Sequence, residues 1–103
     1  MELSDYRARI DQIDRQLVEL FAQRMNTAAG IAAYKKEHGL PVLDPVRERE
    51  KLLDVAAQAP EDMRDYTASL YTMLFELSRC YQGRLLGSTS PPVSYTHLRA
   101  HET

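Results

Sequence analysis

The stretch SDYRARIDQIDRQLVELFAQRMNTAAGIAAYKKEH, residues 4–38, contains no proline and a single glycine, Gly30. Apolar residues return through it at helical spacing: Tyr6, Ile10, Ile13, Leu17, Leu20, Phe21, Ala28 and Ile31. The spacing predicts one long helix, with Ser4 or Asp5 as its N-cap and Gly39 followed by Pro41 as its stop signal. A helix of that length runs about 50 Å, whereas a compact domain of this size has a radius of gyration of about 13 Å. It outreaches any globule its own chain could wrap around it. An apolar stripe sustained over such a length calls for a second chain to cover it.

The stripe also carries charge. With residues placed at steps of about 100° and Ile10 as origin, the apolar positions fall within roughly 80° of one direction, and Arg24 and Lys35 fall in the same sector. A single inward cation can snorkel to the surface along its aliphatic stem. Two on one seam are expected to face a buried anion, because an unpaired buried charge is strongly destabilising.

After His38 the run GLPVL, residues 39–43, reads as a short extended connector. Asp44 is placed to cap a second helix, with Pro45 at the first helical position, where its missing N–H is harmless. That helix is expected over residues 45–57, with Val46, Leu52, Leu53 and Ala56 inward and Arg49, Glu50 and Asp54 outward. The turn QAPE closes it. A third helix is expected over residues 62–86, its stripe formed by Met63, Tyr66, Leu70, Met73, Leu74, Leu77, Tyr81 and Leu85. Ser78 and Gln82 lie one turn apart at the stripe's edge, within reach of one small volume. With no strand signal and no internal repeat, the architecture is all-α: three helices, one very long, in a bundle completed by a second copy of the chain.

Residues 88–103 break this pattern: they are rich in Ser, Thr and Pro and lack periodicity, as a disordered linker does. The closing VSYTHLRAHET resembles translated sequencing-adapter read-through, so residues 1–87 are taken as the domain and the natural chain is expected to extend past Gly87.

Composition narrows the classes of function. Hydrophobic residues make up 44% and charged residues 27%, which suits one globular domain. Thirteen Lys and Arg against fifteen acids, with no long basic run, argue against a nucleic-acid partner. No segment approaches the ~18 apolar residues of a membrane span, and the N-terminus has no signal-peptide pattern, so a cytoplasmic location is expected. Cys80 is the single cysteine and is expected to act as a small buried apolar residue. His97 and His101 have metal-ligand spacing but no further ligands nearby, and no metal or cofactor is expected.

Collecting polar residues on or beside the seam gives Arg7, Arg24 and Lys35 from the first helix, Asp44, Arg47 and Glu48 from the second, and Ser78 and Gln82 from the third. Four cations face two carboxylates. No nucleophile stands with a base, and there is no glycine-rich phosphate loop. Such a pocket binds a small polyanion, best a dicarboxylate, and either catalyses by electrostatics or does not catalyse. The residues alone leave open a non-catalytic helical dimerisation or regulatory module that binds a carboxylate ligand. Arg9, Arg15 and Arg79 point away from the seam and are assigned solvated or intersubunit positions.

The run IDQIDRQLVEL at residues 10–20, Arg24, Lys35, DPVRE at residues 44–48, and Ser78 with Gln82 together resemble the all-helical chorismate mutase family. The resemblance covers residues 5 to 86 and is greatest to the N-terminal mutase domains of bifunctional chorismate mutase/prephenate dehydratases. It implies an intertwined homodimer that rearranges chorismate to prephenate. It also implies that Arg24 and the partner's Arg7 hold the two carboxylates of chorismate, with Arg47 in support. Lys35 and Gln82 would donate to the ether oxygen, Glu48 and the backbone at Asp44 would take the ring hydroxyl, and Ser78 would complete the wall.

Overall fold

A computed structural model of the chain describes residues 1–85. They form three helices, α1 (Leu3–Glu37), α2 (Pro45–Gln58) and α3 (Arg64–Leu85), with a 3-10 turn (Glu61–Met63) leading into α3. Among the described residues there is no strand. Leu86, expected to end the third helix, and the segment 88–103 lie outside the described residues.

The long helix begins earlier than its capping pattern implied. Glu2 is the N-cap, in extended conformation, and Asp5 occupies the third helical position. From there its carboxylate accepts a hydrogen bond from the Glu2 N–H at 2.9 Å. Asp5 therefore helps close the N-terminus from inside the first turn, and Ser4 is simply helical. At the other end Gly39 takes φ 67°, the left-handed conformation that favours glycine. Its N–H donates to the Lys36 carbonyl at 3.3 Å and that of Leu40 to the Lys35 carbonyl at 2.7 Å. This is a Schellman closure, and it turns the chain back toward α2. Asp44 caps α2 as expected, its Oδ1 accepting from the Arg47 N–H at 3.0 Å.

Helix α3 is the element on which α1 and α2 both pack. The buried core is small: Ala32 of α1, Val55 of α2, and Phe75 and Ser78 of α3. On α2 the less exposed residues Glu48, Leu52 and Val55 share one side. The expected inward set mixed two faces. Leu52 and Ala56 are partly buried, but Val46 and Leu53, about half a turn round from Val55, are 65% and 70% exposed. Arg49, Glu50 and Asp54 face solvent as expected.

The stripe expected on α3 divides in the same way. Leu74, Leu77 and Tyr81 are partly buried, whereas Met63, Tyr66, Leu70, Met73 and Leu85 are exposed, and Phe75, absent from that stripe, is at the centre. In α1 every residue from 3 to 23 is exposed, the stripe of Tyr6, Ile10, Ile13, Leu17 and Leu20 included. Burial along α1 starts only at Arg24. About 30 Å of amphipathic helix thus extends beyond the packed part of the chain.

Candidate active site

Where the three helices meet, they enclose a hollow of about 160 Å³. Helix α1 contributes Arg24, Ala28, Ala32 and Lys35; the connector and the start of α2 contribute Val42, Asp44, Arg47 and Glu48; α3 contributes Phe75, Ser78, Arg79 and Gln82. Seven of the eight residues anticipated from the sequence line it, drawn from three separate elements. Arg7 does not. It stands on the exposed half of α1, about 25 Å along the helix from Arg24, too far for its side chain to enter this hollow.

Local structure sets each of these side chains. Ser78 and Gln82 are one turn apart on α3, and the Gln82 Nε2 donates to the Ser78 Oγ at 3.0 Å. Ser78 is 5% exposed, so its hydroxyl anchors the amide from within the packed core and leaves a second amide N–H for another acceptor. Lys35 sits in the last turn of α1, and its Nζ lies 3.9 Å from the Asp44 Oδ2. Asp44 therefore acts twice: one oxygen caps α2 and the other faces the ammonium.

Arg24 is held differently. Its guanidinium lies over the rings of Tyr71 and Phe75, 5.4 and 5.6 Å from their centroids. Aromatic faces attract a cation without neutralising it. Among the described residues neither Arg24 nor Arg47 is paired with a carboxylate. Their charge remains available to a ligand.

Arg79 corrects the sequence reading. It is exposed, as expected, but it also lines the hollow, and its Nη1 donates to the Glu48 Oε2 at 2.6 Å. It lies about 60° round α3 from Gln82, which a compact side chain could not bridge but the long arginine stem does. Its position next to Ser78 and three residues before Gln82 was the available signal. The hollow thus holds four cations, Arg24, Lys35, Arg47 and Arg79, against the carboxylates Asp44 and Glu48. The excess of two positive charges suits a doubly charged anion. Among the described residues no cluster of side chains suits a metal ion, and no helix is long and apolar enough to cross a membrane.

The Chorismate mutase type II family model matches residues 6–83, three-quarters of the sequence and all three helices. The chain belongs to the chorismate mutase type II family. Relatives include a T-protein of Haemophilus influenzae, 44% identical over 46 residues, which are 45% of this chain and 12% of that protein. A chorismate mutase of Methanocaldococcus jannaschii is 38% identical over 48 residues, 47% of this chain and 48% of that protein. A T-protein of Enterobacter agglomerans is 37% identical over 51 residues, covering 50% of this chain and 14% of that protein. The chain thus spans from about an eighth to about half of the lengths of these relatives. No solved structure matches it. Membership of the mutase family accords with the resemblance noted in the sequence. The names of these relatives do not bear on the particular likeness to mutase/dehydratase proteins.

Proposed function

We propose that the chain is a chorismate mutase, converting chorismate to prephenate by clamping the substrate and stabilising charge on its ether oxygen. The observation that carries the proposal is the meeting of Lys35 and Gln82, from α1 and α3, in one hollow with an excess of two positive charges. The reaction is a concerted [3,3] rearrangement. The C–O bond lengthens ahead of C–C formation, negative charge gathers on the ether oxygen, and no proton has to move. Such a reaction requires a compact diaxial conformer and hydrogen-bond donors aimed at that oxygen. It requires neither a cofactor nor a covalent intermediate.

On this reading Arg24, with Arg47 behind it, binds one carboxylate and enforces the reactive conformer, lowering the entropic part of the barrier. Lys35 and the free amide N–H of Gln82 donate to the ether oxygen, where one preorganised donor is typically worth about 2.7–4 kcal/mol. Glu48 and the backbone at Asp44 receive the ring hydroxyl, and Ser78 holds Gln82 in line.

The second carboxylate falls to Arg7 of a partner copy. Support for a homodimer comes from α1, whose open apolar stripe begins where burial ends. The hollow also shares Arg24, Arg47 and Glu48 with a wider cleft of about 460 Å³, lined further by Leu20 and Gln23, which opens toward that stripe. A second long helix laid antiparallel along α1 would cover both stripe and cleft, and would carry its Arg7 to the open side of the site.

The purified protein should consume chorismate, followed as loss of its absorbance, with prephenate as the product. Replacing Lys35 by Ala should lower kcat by about a hundred- to a thousandfold with helicity unchanged. A folded Lys35→Ala protein of undiminished activity would refute the assigned chemistry. A helical module that binds a carboxylate without turnover would leave the chorismate absorbance constant.

A further inference from the structure

We propose that Arg79 is a positioning residue: it holds the Glu48 carboxylate in the orientation that receives the ring hydroxyl of the substrate. This rests on the chorismate reading above and assigns a task to a residue outside the expected site. The contact joins α3 to α2 across 31 residues of sequence and is close, at 2.6 Å. It engages Oε2 of Glu48, leaving Oε1 to accept from a ligand hydroxyl.

Electrostatics gives the contact its purpose. A carboxylate inside a site for a dianion repels the ligand unless a cation stands against it, and Arg79 is the cation that meets Glu48. The competitor is Lys51, one turn further along α2, at the i,i+3 spacing that favours pairing. Lys51 lines the wider cleft with Glu48, and its Nζ now lies 3.5 Å from the Asp54 Oδ2. Without Arg79, Glu48 is drawn toward Lys51 and away from the hollow that contains Lys35 and Gln82.

The kinetic signature follows from which atoms react. The ring hydroxyl keeps its bond throughout the rearrangement, so a contact to it is equally strong in ground and transition states. Losing such a contact raises KM and leaves kcat nearly unchanged. Loss of the Arg79 charge alone would weaken binding of any dianion, with or without a hydroxyl.

The test compares wild type, Arg79→Met and Arg79→Lys on chorismate and on an analogue lacking the ring hydroxyl, with helicity checked by circular dichroism. For a part-exposed ion pair, Arg79→Met should raise KM for chorismate about two- to fivefold, with partial recovery in Arg79→Lys. The rise should be clearly smaller on the analogue. In a Glu48→Gln background, Arg79→Met should have the same effect on both compounds, because no carboxylate remains to be oriented. Equal losses on both compounds in the wild-type background would make Arg79 a plain cation and overturn the positioning role, as would an unchanged KM. A fall in kcat with loss of helicity in Arg79→Met, reproduced by Arg79→Lys, would make its role structural and overturn it as well. Failure of the wild-type protein to turn over chorismate would instead remove the functional reading, and this inference with it.

Discussion

Gln82 sits where one change of atom tests the proposed chemistry. In Gln82→Glu the donor N–H is replaced by oxygen, and above the ordinary glutamate range near pKa ~4.3 that oxygen is ionised and repels the charge gathering on the ether oxygen. Below that range the protonated carboxyl donates again. The variant's kcat/KM should therefore rise as pH falls toward 4–5, roughly the region where the acid form becomes populated, while wild type gains nothing over the same span. A variant profile parallel to that of wild type would separate Gln82 from the reacting oxygen. Of the site residues, those in the chain's own hollow were legible from helical spacing because they are fixed by i,i+3 and i,i+4 geometry on regular elements. Arg79 stands at the same i,i+3 spacing from Gln82 and carried that signal too; what a helical projection does not contain is the bend of its long side chain into the hollow.

Among the elements, the turn between α1 and α2 governs how Lys35 and Asp44 face each other. Gly39 is at φ 67°, and a Cβ built there meets no atom within 4 Å, so substitution carries a purely conformational penalty. Gly39→Ala should lower the unfolding free energy by about 1 kcal/mol, measured in urea at fixed protein concentration. Gly39→Asn should lose less, since asparagine tolerates the left-handed region. Equal stabilities for the three proteins would mean that the turn relaxes freely. The helices themselves were legible: α2 begins at Pro45 behind an Asp44 cap, and α1 stops at a glycine, both signalled by residue type. Their inward faces were less so. α2 and α3 each carry apolar residues on two sides, and projection alone cannot tell the side that meets a neighbour in the same chain from the side it leaves open.

For the whole molecule, the exposed half of α1 and the absence of Arg7 from its own chain's hollow lead to one experiment. In a homodimer whose sites each borrow Arg7 from the partner, Arg7→Ala and Lys35→Ala damage different chains of the same site. Each variant alone should be nearly inactive. In a mixed dimer, however, the Arg7→Ala protomer keeps an intact Lys35 and receives Arg7 from its Lys35→Ala partner, so one of the two sites is whole. Unfolding and refolding the two variants together in equal amounts should therefore restore about a quarter of wild-type activity, since about half the dimers are mixed and each has one working site. Arg7 acting within its own chain would give one damaged residue at every site and no recovery on mixing. A charge placed in the open stripe, as in Leu17→Glu, should shift the protein toward monomers by sedimentation and abolish turnover with them, because each site then loses its borrowed arginine.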